Sequence, residues 1–190
     1  MANPPVRYFD TALGDRVLQF SDLTGLWPAI KRYLALTSAK SDAGVALSAT
    51  ASSGAMGVSR TAGSSLVLVG EATSANAKTD KAMFEFDLPD TYVANANIPV
   101  TVNCNYSGAG TVTAASTTMT VSAYTEANGV ETALTVSAAQ QIPSTAADLV
   151  FTITGTGLAA GAHLVIELTM LVTSSSGANT GQVNSVAYTA

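Results

Sequence analysis

From about residue 65 to residue 190 the chain alternates apolar and polar positions with a period of two, and turn residues interrupt the alternation at short intervals. Successive side chains of a strand point to opposite faces, so this pattern predicts short antiparallel strands with one face in a core. Eight are predicted, over residues 66–71, 82–88, 99–106, 117–124, 133–137, 149–154, 164–172 and 183–188. In the second, Ala82, Phe84, Phe86 and Leu88 share the core face, opposite Met83, Glu85 and Asp87. In the third, Val100, Val102, Cys104 and Tyr106 alternate with Thr101, Asn103 and Asn105. Met119, Val121 and Ala123 repeat the pattern, as do Leu149, Phe151 and Ile153. The seventh is apolar on both faces, because Val165 and Leu171 stand opposite Leu164, Ile166, Leu168, Met170 and Val172. That predicts a second contact surface, formed with another subunit. Turn signals fall at Asn128-Gly129, at residues 155–161 and at residues 177–181. The predicted fold class is therefore all-β: an antiparallel β-sandwich (jelly roll) of about eight strands, over residues 65–190.

The first 64 residues do not alternate. Residues 1–36 hold the only Trp together with Tyr8, Phe9, Phe20 and Tyr33, punctuated by Pro4, Pro5, Gly14, Gly25 and Pro28. This reads as an extended arm containing at most one short helix. Pro28 suits a first helical position, and Trp27, Ile30 and Leu34 would share one face with Lys31 and Arg32 turned away. Two turns rarely hold alone in water, so the arm is expected to need a surface to fold against. Residues 37–64 are dominated by Ala, Ser, Gly and Thr and read as a linker or loop.

Charge narrows the function classes. No Lys or Arg follows Lys81, whereas seven carboxylates do. The net charge is −5 and the sequence pI about 4.6, which argues against a nucleic-acid partner. Charged residues make up 11% of the chain and the mean hydropathy is +0.31, so little electrostatic repulsion keeps copies apart. An oligomer or lattice component is expected. The most apolar stretch, residues 164–172, is broken by Glu167 and Thr169 and is too short to span a bilayer, so no membrane partner is expected. The N-terminal residues lack the basic-then-apolar profile of a secretory signal, and a lone Cys104 can form no intrachain disulfide. Both features fit assembly in a cytoplasm.

Few polar residues are spaced for reactive chemistry. Glu85 and Asp87 lie two residues apart on one strand face, at a spacing of roughly 7 Å that could serve a hydrolase pair or a Ca²⁺ site. The plainer reading is a solvated face near a sheet edge. Asp90 and Asp148 read as turn residues. His163 is the only histidine, which leaves no His-based metal cluster, and Cys104 alternates with valines as a small core residue. The glycines of residues 155–161 miss the dinucleotide spacing by one, and neither Lys40-Ser41 nor Lys78-Thr79 follows a glycine, so no Walker sequence exists. Asn105-Tyr106-Ser107 matches a glycosylation sequon by chance. No catalytic residue, cofactor or metal ligand is assigned.

Several stretches together carry a family resemblance. Lys81-Ala-Met-Phe-Glu-Phe-Asp-Leu-Pro-Asp-Thr-Tyr-Val followed by Ile98-Pro-Val-Thr-Val-Asn-Cys resembles the opening sheet of decoration (cement) proteins from tailed-phage capsids. Glu131-Thr-Ala-Leu-Thr-Val-Ser-Ala-Ala-Gln-Gln-Ile, Asp148-Leu-Val-Phe-Thr-Ile-Thr-Gly-Thr-Gly-Leu-Ala-Ala-Gly and Leu164-Val-Ile-Glu-Leu extend it over about residues 65–172. Where the family pattern carries an acidic residue after the turn glycine, this chain has Ala162-His163. The resemblance implies a jelly-roll virion protein, commonly a homotrimer, on the outside of an icosahedral head, where it binds the major capsid protein and ties capsomers together. On that footing the arm docks through Tyr8, Phe9, Phe20, Trp27, Ile30 and Tyr33, since aromatic anchors dominate such interfaces. Two other functions remain open from the residues: a tail-fibre or receptor/carbohydrate-binding β-sandwich module, and a hydrolase working through Glu85 and Asp87.

Overall fold

The computed structural model describes residues 30–60 and 65–190. Two antiparallel sheets form a β-sandwich of the jelly-roll class over Lys31–Ala190. Its strands are β1 (Lys31–Leu34), β2 (Gly57–Arg60), β3 (Leu66–Val69), β4 (Ala77–Asp87), β5 (Ile98–Gly108), β6 (Thr111–Val112), β7 (Thr118–Ala127), β8 (Val130–Leu134), β9 (Gln140–Gln141), β10 (Ala147–Ile153), β11 (His163–Ser176) and β12 (Asn179–Thr189). One sheet runs β10-β5-β12-β3-β2, with β1 also paired to β12. The other runs β4-β11-β7-β8, with β6 on β11 and β9 on β7. Successive long strands cross between the sheets, which draws both inner faces into one core.

Seven of the eight predicted strands coincide with β3, β4, β5, β7, β10, β11 and β12, whereas the strand predicted over residues 133–137 is shifted, β8 ending at Leu134; the core faces are those read from the alternation. Ala82, Phe84 and Leu88 of the second, Val100, Val102 and Cys104 of the third, and Phe151 and Ile153 of the sixth are buried. Phe86 is half-buried and stacks on Tyr188 of the opposite sheet, with ring centroids 4.2 Å apart. Asn128 and Gly129 close the β7–β8 hairpin at φ 53° and 75°, the paired left-handed geometry that Asn-Gly tolerates in a two-residue turn.

Three expectations need correction. Lys31–Leu34 is a strand, so Ile30 and Leu34 do not share a helix face. Pairing with β12, Lys31 opposite Thr189 through Leu34 opposite Val186, satisfies backbone groups that a two-turn helix would leave to water, and Leu34 packs on the core. Pro28 and Trp27 lie outside the described residues. The stretch assigned as linker is, over its described part to Arg60, integrated into the sandwich: Ala39 and Met56 are 1% exposed, and β2 pairs with β3. Met83 exchanges backbone hydrogen bonds with Lys40, and Lys81 bonds both Gly54 and Met56, so this segment covers the edge of β4. Small residues allow that close approach. A Cβ on Gly57 would collide with the backbone of Thr50 and Ala51. Lastly, of the two apolar residues on the outward face of β11, Val165 is covered within the chain and Leu171 stays half-buried. Val165 lies in register with Glu85 and Tyr124 on its two neighbours and is 2% exposed without a second subunit.

Phe151 is fully buried between the sheets. Phe151→Ala is expected to lower stability by about 3–5 kcal/mol in urea denaturation, against less than about 0.5 kcal/mol for Val93→Ala at an exposed loop position.

Candidate functional site

The carboxylates singled out from the sequence share the outward face of β4, each with its own side-chain partner. Both Glu85 carboxylate oxygens accept from Lys40 Nζ, at 2.9 and 3.0 Å. His163 Nδ1 donates to Asp87 Oδ1 at 2.7 Å. Lys40 comes from the segment covering the β4 edge and His163 from the start of β11, so the two acids are drawn toward different partners. Glu167, 8% exposed on the outward side of β11, accepts from Lys81 at 3.2 Å, and Asp42 lies 3.8 Å from the same ammonium. Donating this hydrogen bond to the Glu167 carboxylate raises the Lys81 pKa. Lys81 borders an open depression of about 460 Å³ walled mainly by Ser41, Asp42, Ser52, Ser53, Gly54 and Thr79. With two carboxylates on its one cation, that hollow is poorly suited to an anion. No cluster of three or more acidic, His or Cys side chains placed to hold a metal occurs among the described residues.

Cys104 is fully buried on the core face of β5, and burial first, then Asp148, pushes its thiol up to about 12. At neutral pH it stays a thiol packed as a small apolar residue. Asp80 is the acid that sequence reasoning missed. It points inward from β4, is 2% exposed, and its Oδ2 accepts the Glu71 N–H while Oδ1 has no partner among the described residues. A Cβ on Gly70 would contact both Asp80 and Met170, so the carboxyl sits in a tight, largely apolar setting. Burial raises its pKa, against the Glu71 N–H hydrogen bond, which favours the charged form. Glu71 shifts the other way, held down by its 2.6 Å hydrogen bond from Lys78.

The least anticipated arrangement is the outward face of the sheet β10-β5-β12-β1. Asn184 Nδ2 donates to Asn103 Oδ1 at 3.0 Å and to Asn105 Oδ1 at 3.1 Å, and Asn103 Nδ2 donates to Asp148 Oδ1 at 2.7 Å. A β-bulge around Asn184 sets it above both β5 asparagines. Beside this amide row, Tyr33, Ala187, Thr101 and Val150 stand in register across four strands. Tyr33 is 68% and Val150 51% exposed, whereas the small Ala187 between them is 1% exposed. Lys31 Nζ lies 5.4 Å from the Tyr33 ring centroid and 3.9 Å from Asp148 Oδ2.

That last distance reports the shape of the sheet. Lys31 and Asp148 are three strands and four residues of register apart, about 19 Å between Cα atoms in a flat sheet. Their extended side chains and the gap together reach roughly 14 Å. The sheet is therefore curled so that this outward face is concave, with Ala187 and Thr101 on its floor. Asn103 and Asn105 at alternate positions were the legible signal for part of this face; Tyr33, Asn184 and Lys31 were not, because three separate segments supply them. Of the proposed arm anchors, Ile30 and Tyr33 are exposed, and Tyr8, Phe9, Phe20 and Trp27 lie outside the described residues.

No family model and no curated protein matches the chain. Among solved structures it is similar to TmCBM61 in complex with beta-1,4-galactotriose, at 12% identity and a TM-score of 0.38 over 70% of this chain and 81% of that one. It is also similar to the CBM22-1 xylan-binding domain of Paenibacillus barcinonensis Xyn10C, at 12% identity and a TM-score of 0.39 over 84% of each chain.

Asp80 sets a pH dependence of definite sign. Its raised pKa makes the folded chain hold a proton that the unfolded chain releases, so its contribution disfavours folding as pH rises through the acid range. Asp80→Asn keeps an acceptor for Glu71 N–H and removes the buried charge. It is expected to melt about 2–4 °C above the parent at pH 7, with the gap closing toward pH 4, in calorimetric scans. A pH-independent gap would contradict the assignment.

Proposed function

We propose that this protein is a structural virion component, a capsid decoration or cement protein that binds the outside of an icosahedral phage head and stabilises contacts between capsomers. Its partners are the major capsid protein and further copies of itself, as a homotrimer, and it has no catalytic role. The stretches that carry the sequence resemblance lie on β4, β5, β8 through β9, β10 and β11, the framework of the sandwich.

The observation that carries this reading is the in-chain neutralisation of the lysines. Lys31, Lys40, Lys78 and Lys81 each have a carboxylate within 4 Å. Charges already paired across a β face lose less on being covered by another protein than free ones do. Ile30, just before β1, and Tyr33 within it are exposed, side chains of the kind that anchor such contacts.

A second reading is a tail-fibre or carbohydrate-binding attachment module. The observation that favours it is the concave face with its amide row and exposed Tyr33; the two carbohydrate-binding domains named above are too distant to argue for it.

Quantitative mass spectrometry of purified particles separates the two, with chymotrypsin or Glu-C because trypsin has no site after Lys81. Copy number near that of the major capsid protein is expected; a handful of copies would favour the attachment reading, and absence would overturn both. A chain lacking residues 1–29, which keeps β1, is expected to remain folded by circular dichroism and to lose shell binding at least tenfold.

A further inference from the structure

We infer that the concave outward face of β10, β5, β12 and β1 is a binding cleft for a neutral, hydroxyl-rich chain, a saccharide. This names the site of the attachment reading and rests on it.

The face offers what sugar hydroxyls and ring faces need and little that another ligand class needs. Asn184 spends its Nδ2 on Asn103 and Asn105, which leaves its Oδ1 free to accept among the described residues. Asn105 Nδ2 has only a 3.5 Å contact with the Tyr106 carbonyl, so it too can turn to a ligand. These planar groups supply a donor and an acceptor side by side, the pairing that adjacent hydroxyls satisfy. Tyr33 holds an exposed ring at one wall, against whose face the C–H side of a sugar ring can lie.

Charge and shape narrow the occupant further. The one ammonium on this face, Lys31, is turned toward Asp148, so the cleft is close to neutral and does not favour a phosphate or a polyanion. Between Tyr33 and Val150 lie Ala187, 1% exposed, and the partly exposed Thr101, so this part of the face has no deep apolar pocket that a protein anchor residue would fill. The Lys31–Asp148 pair crosses the face at 3.9 Å with both side chains substantially exposed, a weak link that ligand hydroxyls can replace.

The test is isothermal titration and NMR titration of the full chain with a panel of neutral tri- to hexasaccharides of gluco, galacto, manno and xylo configuration. Three variants accompany it: Tyr33→Ala, Asn184→Ala, and Val130→Ala on the opposite sheet. At least one saccharide is expected to bind, with affinity about tenfold weaker in Tyr33→Ala and in Asn184→Ala and unchanged in Val130→Ala. Binding that survives both cleft substitutions would overturn the site while leaving the attachment reading standing. No binding by any member at millimolar concentration would overturn the saccharide site, while the copy number in purified particles decides the attachment reading separately.

Discussion

The pairing of β12 with three strands at once is the constraint on which the rest of the structure depends. Along one side it hydrogen-bonds β5 over most of its length; along the other it bonds β3 near Val183 and then β1 from Val186 to Thr189. Residues 31–34 and residues 186–189, at opposite ends of the sandwich sequence, are therefore neighbours in one ladder. Ladder hydrogen bonds matter here chiefly because the inward side chains of β12, Val183, Val186 and Tyr188, are buried with their backbone, where an unpaired N–H or C=O would be costly. The bulge at Asn184 lets β12 change partners while keeping Val183 and Val186 both inward, and it turns Asn184 outward over β5. The concave face is thus a by-product of how the last strand closes the sheet.

β11 plays the corresponding part in the second sheet, paired over eleven residues with β4 and eight with β7. Its inward residues from Leu164 to Val172 are all buried. Around Val165 the outward face is finished by long side chains rather than by a partner. Glu167 and Lys81 neutralise one another, and Glu85 with Lys40 flanks Val165. All four lysines lie within 4 Å of a carboxylate, while Glu126 and Glu131, opposite one another on β7 and β8, leave the outer face of this sheet net acidic.

The long strands and their faces were legible because alternation with a period of two reflects a physical requirement that every buried strand meets. The Asn128-Gly129 hairpin was legible for the same reason: two adjacent positive φ angles admit few residues. What escaped was everything that depends on which segments come together. KRYL at residues 31–34 carries no distinctive strand pattern and is a strand because β12 offers a free edge beside it. The Ala- and Ser-rich residues 37–60 resemble a spacer in composition, yet small side chains are what let that segment lie tightly along β4. Val165 looked like half of a subunit interface because alternation cannot see Glu85 and Tyr124 on neighbouring strands. Asp80 was hidden among polar residues of β4, since nothing local marks a charged side chain as pointing inward. The concave face was readable only in Asn103 and Asn105.

Hydrogen–deuterium exchange resolved by mass spectrometry tests the central claim most directly, because it reports whether β1 is bonded to β12. Peptides covering residues 31–34 should show backbone amides protected for times comparable with those of residues 186–189, and substitution of Val186 by proline, which disrupts the ladder, should release both segments together. Exchange of residues 31–34 within seconds while β12 stays protected would contradict it. The curled sheet and the placement of Lys31 and Tyr33 on its outward face would fall with that result.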